Sequence, residues 1–349
     1  MDVSALKALW VHRFRKYTYI LGEYAGALGV IVRFLILKIS LKGRRKMVAI
    51  LRTEHFGDIV AAEPIVRQVR ALIPNAYIVW IVRPVFKELV ERHPEVDKVW
   101  AQPSVLQRLL VCESGIFEQV YNLEFWQSNR DSISEDVHVN RVAAQKDITV
   151  FNYFEKGNLL SIFQQCAALP IIDDVPKVFI NDADRARVDA LQLPKKLIVI
   201  HCSSNYPAKD WSVENWHKLV NWLMHEKGYY VAEIGLKNVV ESTDAHYLNL
   251  CGKFSILQTA EIIRRARFFI GIDSGPAHLA NAVDTFGILL FGQLNNFDTY
   301  MPYSGHYQNG TKALLIRESG KTCAELDYTL VRGEIETIFD RIPTVASVL

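Results

Sequence analysis

From Lys46 onward the chain alternates short apolar runs with helically spaced segments, and it does so twice. "MVAILR" passes through the loop "TEHFGD" into helical spacing at "IVAAEPIVRQVRALIP". "AYIVWIVRP" then reads as a strand, "VFKELVERHP" as a helix and "DKVWAQ" as a third strand. A second series begins near "DADRARVDALQLP". Its strands are "KKLIVIHC", "YYVAEIGL", "RFFIGID" and "TFGILLFG", and its helices are "SVENWHKLVNWLMHEKG", "ILQTAEIIRRA" and "PAHLANAV". Strands alternating with helices require a parallel sheet covered on both faces. At 349 residues, two such cores are expected rather than one. The Pro- and Asp-rich stretch "LPIIDDVPK" is the expected linker, giving α/β domains at 46–175 and 176–349 after a leading segment, 1–45. Across 126–157 polar residues interleave with Phe151, Tyr153 and Phe154, and no element is assigned there.

Ligands of doubly wound sheets sit beyond the carboxyl ends of the strands, so residues directly after strands are the candidates. Asp58 follows the first strand behind Gly57, placed either to cap a helix or to take a proton from a hydroxyl. Lys209 lies in "SSNYPAKDW", as a solvated loop lysine or a point charge on a phosphate. Glu241, in "KNVVES", is an ordinary surface charge or a partner for ribose hydroxyls. The most informative turn is "GIDSGPAHLANAV", residues 271–283. Gly271 and Gly275 permit a sharp turn, and Pro276 suits the first helical position, where no N–H is needed. The helix start behind them is built for an anion such as a diphosphate. Asp273 would repel phosphate and is expected on loop N–H groups or near a sugar. Ser274 sits one position too late for a hydrolase G-x-S-x-G elbow.

The leading segment differs in kind. Residues 1–46 carry ten Lys/Arg against Asp2 and Glu23, a net +8, while the rest of the chain carries −6. On a helical wheel Glu23, Arg33, Lys38 and Lys42 share one half, and Leu21, Ala25, Leu28, Val32, Leu35 and Ile39 line the other. The longest charge-free run, 24–32, is far below the roughly 20 residues of a spanning helix. A small-residue signal cleavage site is lacking. The expectation is a basic amphipathic helix on an anionic membrane surface, with packing on its own protein as the alternative. Basic residues interleaved with an aliphatic stripe do not suggest a nucleic-acid partner. The five cysteines form no C-x-x-C and the ten histidines no H-E-x-x-H, so neither a zinc site nor a disulfide framework is expected, and a reducing, cytoplasmic setting is.

Three ordered segments together resemble glycosyltransferase family 9, the ADP-heptose:lipopolysaccharide heptosyltransferases, over roughly residues 47–340. They are "ILRTEHFGDIVAAEPIVRQVRALIPNA" with "IVRPVFKELVERHPEVDKVW", then "HCSSNYPAKDWSVENWHKLVNWL", then "FFIGIDSGPAHLANAV". The resemblance implies a GT-B fold, two Rossmann-like doubly wound domains facing a central cleft. It implies inverting transfer from a nucleotide-diphosphate sugar, ADP-heptose favoured, to a glycan or glycolipid acceptor, with no required metal or cofactor. Asp58 matches the family's base, Lys209 its phosphate-contacting lysine and Glu241 its ribose-contacting acid. Asp273, Ser274, Gly275 and His278 match its donor signature. His201, Cys202 and Ser203 stand where the family usually has His-Pro-Gly. The alternatives are a nucleotide-sugar-binding protein without transfer activity, and a UDP-sugar epimerase with a related Asp-Ser-Gly turn.

Overall fold

A computed structural model describes residues 3–128 and 137–342. The chain opens with α1 (Val3–Ser40), followed by β1 (Lys46–Leu51), α2 (Phe56–Ala61), α3 (Glu63–Leu72) and β2 (Ala76–Val82). Next come α4 (Glu88–Glu91), β3 (Lys98–Ala101), α5 (Val105–Glu113) and β4 (Gln119–Asn122). β1 to β4 form one parallel sheet in the order β3-β2-β1-β4. β1 is buried from Met47 to Leu51, which is why its sequence is a continuous apolar run rather than an alternating one. A short antiparallel pair follows, β5 (Trp126–Ser128) with β6 (Val137–Val139), then α6 (Arg141–Gln145), capped by Asn140, and α7 (Leu159–Cys166). Part of the unassigned stretch, 129–136, lies outside the described residues.

The second series is α8 (Asp182–Asp189), β7 (Leu197–His201), α9 (Val213–His225), β8 (Tyr230–Glu233), β9 (Tyr247–Asn249) and α10 (Ile256–Arg265). It continues with β10 (Phe268–Ile272), α11 (Gly275–Ala282), β11 (Gly287–Leu290), β12 (Ala313–Ile316) and α12 (Tyr328–Arg341). All six strands are parallel, in the order β12-β11-β10-β7-β8-β9. Counted from β7, that is the dinucleotide-fold order 3-2-1-4-5-6, whose topological switch lies between β7 and β10. The helix starts follow local rules: Ser212 caps α9, and Ser255 with Gln258 forms a capping box on α10.

Two compact units result, each a Rossmann-like α/β lobe. The first comprises Met1–Glu54, Ile65–Val150 and Ile162–Ile171, and the second His55–Pro64, Phe151–Ser161 and Ile172–Leu349. α2 and the Tyr153–Lys156 turn therefore pack with the β7–β12 sheet, although both lie in the first half of the chain. In the first unit the β1/β4 switch point is closed by Glu124, which accepts from Arg52 (3.0 Å), Thr53 N–H (2.8 Å) and Thr53 Oγ1 (2.7 Å).

α1 is one uninterrupted helix of 38 residues, and it docks on the first unit through a side other than the aliphatic stripe that was expected to face a membrane surface. Ala27 and Phe34 are buried in the first unit's core, with the Phe34 ring edge-on to Phe117 and Trp100. Lys38 on the same side pairs with Glu118 at 2.9 Å and donates to the Ile116 carbonyl, and Ser104 donates to Glu23. Leu21, Leu28, Val32, Leu35 and Ile39 face away from the protein and are exposed. Both sides of this helix are apolar enough to bury, so periodicity alone could not choose between them. Leu6–Ser40 is also long and apolar enough to cross a membrane. The charge-free-run criterion missed this because Glu23 and Arg33 interrupt the run.

Candidate active site

Residues from four loops meet at the switch point of the second unit. β7 ends at His201, and the loop after it closes on itself when Ser204 donates to Asp210 through N–H (2.7 Å) and Oγ (2.8 Å). A 3-10 turn, Pro207–Lys209, then aims the Lys209 side chain at the end of β10. There Lys209 Nζ donates to Asp273 Oδ2 at 2.5 Å. Tyr300 OH donates to the same oxygen at 2.8 Å and Tyr303 OH to Oδ1 at 3.0 Å. Asp273 thus sits on a lysine and two phenols rather than on loop N–H groups, one of the two places expected for it. Burial, the largest single influence, would raise its pKa, but the charge and hydrogen bond of Lys209, joined by His278 and the Tyr300 hydroxyl, together hold the carboxyl below its ordinary value. The same arrangement pushes both phenols well above their ordinary pKa, first by burial and then by the neighbouring carboxylate.

Ser274 stands at the N-cap of α11, yet its side chain makes no capping bond. Its Oγ lies 2.9 Å from His201 Nδ1 and 3.2 Å from the Ile272 carbonyl. The tautomer that satisfies both contacts carries the proton on Nδ1, so that the imidazole donates to Oγ and the hydroxyl donates to Ile272. Burial pushes the His201 pKa down to about 4, keeping the ring neutral near pH 7. His201 therefore has a task even though Cys202 and Ser203 depart from the family pattern. In the first turn of α11, Pro276 has no N–H to offer and Ala277 N–H bonds the Ser274 carbonyl at 3.1 Å. Lys209 is left as the principal positive charge at this turn.

α2 brings Asp58 to the same place. Gly275 lies against the Phe56 ring: a β-carbon there would fall 2.1 Å from Phe56 Cζ. One on Gly57 would meet His278 Cδ2 at 2.9 Å and Gly275 Cα at 3.1 Å. The two helix starts approach this closely only because both positions are glycine. Asp58 is not the cap, which is His55; it occupies the third helical position, 3.7 Å from His55 Nδ1 and about a quarter exposed. His278 is buried, its ring 4.6 Å from that of Tyr303. Burial brings its pKa down to about 4, against the opposing pull of Asp273 and Asp58.

Asp58, Lys209, Asp273, Ser274, Gly275 and His278 are thus gathered at one end of the sheet. Glu241 is the exception: it is exposed, just beyond a turn pinned by the buried Glu233, which accepts from the N–H groups of Val239 (2.7 Å) and Val240 (2.9 Å). Sequence reasoning missed Tyr300 and Tyr303, and missed the rings behind them. Phe154 lies 4.7 Å from Tyr300, and Tyr153 lies 5.3 Å from Phe297. The signal available was the aromatic density of "FDTYMPYSGHY", which carries no spacing rule. Among the described residues, no three His, Cys, Asp or Glu side chains are grouped to hold a metal ion.

Residues 158–326 match the sequence profile of glycosyltransferase family 9 (heptosyltransferase). The chain is 21% identical over 291 residues to lipopolysaccharide heptosyltransferase 3 of Escherichia coli, covering 72% of this chain and 84% of that protein. Among solved structures it resembles a family 9 glycosyltransferase from Veillonella parvula (TM-score 0.63, 17% identity, 85% of this chain and 98% of that one). It also resembles the ADP-heptose lipopolysaccharide heptosyltransferase II of E. coli (TM-score 0.62, 17% identity, 85% and 99%). At these identities the structural likeness establishes the fold, GT-B.

Proposed function

Because the chain belongs to glycosyltransferase family 9, we propose that it is an inverting, metal-independent transferase that moves a heptose from an ADP-sugar to a hydroxyl of a lipopolysaccharide-type acceptor. The first α/β domain would take the acceptor and the second the donor. The observation that carries this reading is Lys209, held by Asp273 at the β7/β10 switch point, where a doubly wound sheet binds its ligand.

The reaction is a single displacement. The acceptor oxygen attacks the anomeric carbon from the face opposite the diphosphate, the carbon–oxygen bond to the diphosphate breaks, and ADP leaves with the electron pair. Asp58 takes the hydroxyl proton. Lys209 neutralises charge gathering on the leaving diphosphate, while Tyr300 and Tyr303 keep Asp273 hydrogen-bonded as the ammonium turns toward phosphate. Ser274 and Gly275 form the turn against which the diphosphate lies, neutral His278 packs beneath it, and Glu241 reaches the ribose. A glycolipid acceptor together with an ADP-sugar donor would call for a peripheral enzyme at the cytoplasmic face of the membrane.

The test is ADP release from ADP-heptose in the presence of a lipopolysaccharide-core acceptor, with thermal shift against ADP-, UDP-, GDP- and CDP-sugars alongside. A ligand at 100 times its Kd stabilises by about 2.7 kcal/mol. Asp58→Asn is expected to lower kcat by about 10²–10⁴-fold while leaving the ADP-heptose shift intact. Binding without turnover in the wild type would favour a nucleotide-sugar-binding protein, and stabilisation by UDP-sugars alone would overturn the donor.

A further inference from the structure

α1 presents a continuous apolar stripe on the side turned away from the protein. Trp10, Phe14, Tyr17, Leu21, Leu28 and Leu35 recur at helical spacing along it, and each is between 47% and 70% exposed. Basic residues flank the stripe: Arg13, whose guanidinium lies 5.6 Å from the centre of the Trp10 ring, with Arg15, Lys16 and Arg33. Aromatic and aliphatic side chains edged by cations suit the boundary between lipid headgroups and acyl chains.

The opposite side of the same helix excludes crossing. Phe34 and Ala27 are buried in the first unit's core, Lys38 is paired with Glu118, and Glu23 accepts from Ser104. Passing residues 20–38 through a bilayer would strip these contacts away and leave a carboxylate and an ammonium in hydrocarbon. At 38 residues the helix is about 57 Å long, nearly twice the thickness of a hydrocarbon core. A second copy of the chain is a poor occupant of the stripe, because it would bring two segments of net charge +8 together.

We propose that α1 lies in the plane of an anionic phospholipid surface, with its outward stripe in the headgroup–acyl boundary and its inner side docked on the first α/β unit. This deepens the peripheral localisation argued above and is independent of the transfer chemistry.

The experiment is flotation of the full-length protein with vesicles of phosphatidylcholine alone, or with about one-third phosphatidylglycerol, at about 0.1 M and 0.5 M salt. Wild type is expected to float with the anionic vesicles, at least tenfold less without the anionic lipid, and less at high salt. The double variant Leu28→Glu/Leu35→Glu, altered only at exposed positions, is expected to lose flotation while keeping its melting temperature and its ADP-sugar shift. That shift separates a failed lipid proposal from a failed donor assignment. Absence of flotation, a stable dimer that excludes lipid, or resistance of bound protein to high-pH carbonate extraction would each overturn the proposal, the last in favour of a spanning helix.

Discussion

Lys209 and Asp273 hold each other, and removing Lys209 leaves the Asp273 carboxylate buried without its counter-charge. The Asp273 side chain is 6% exposed and that of Lys209 23%. Lys209→Ala is expected to cost about 1–3 kcal/mol in the ligand-free protein, measured by urea unfolding, and to abolish the ADP-sugar thermal shift. The cost stays below that of an uncompensated buried charge because Tyr300 and Tyr303 still donate to the carboxylate. The buried imidazoles give a pH dependence. His201 and His278 titrate near 4 when folded and near 6.5 when unfolded, so between those values the unfolded chain holds more protons. Stability should therefore fall as pH drops from about 6.5 toward 4, by up to about 3 kcal/mol for each ring. Urea midpoints at pH 7 and pH 5 would show this, and a flat profile would mean that the rings reach water. None of these partners is legible locally: Asp273 finds its two tyrosines 27 and 30 residues later.

At the scale of elements, the candidate site depends on how closely α2 and α11 approach. Gly275→Ala would drive a methyl into the Phe56 ring and is expected to destabilise by about 1–3 kcal/mol. It should lower kcat more than donor affinity, because Asp58 moves with α2. Adding Phe56→Ala should restore part of the stability, since the ring is what the methyl strikes; a double mutant as unstable as the sum of the two would refute the packing account. The glycines themselves stood out in the sequence as turn residues. That Gly57 and Gly275 face each other did not, because nothing local relates positions 218 residues apart. The strands were the most legible elements, since continuous apolar runs survive in the sequence wherever a strand is buried on both faces. The extent of α1 was less so: of the two charges that broke its apolar run, Glu23 accepts from Ser104 and Arg33 is exposed.

For the molecule as a whole, charge and burial divide along the chain. The first turns of α1, from Leu6 to Tyr17, are exposed on nearly every side, so deleting residues 1–18 should leave urea stability within about 0.5 kcal/mol and the ADP-sugar shift unchanged. A larger loss would mean that this stretch packs on the protein. By itself the sequence determined two parallel α/β sheets, the turn at Asp273–His278 and a basic N-terminal helix, because each is written in spacing over a few residues. Only the tertiary structure decided which side of α1 docks, that His55–Pro64 packs with the second sheet, and that Asp273 is held by Lys209, Tyr300 and Tyr303. Those outcomes depend on side chains far apart in the chain competing for the same buried partners, and local periodicity carries no record of that competition.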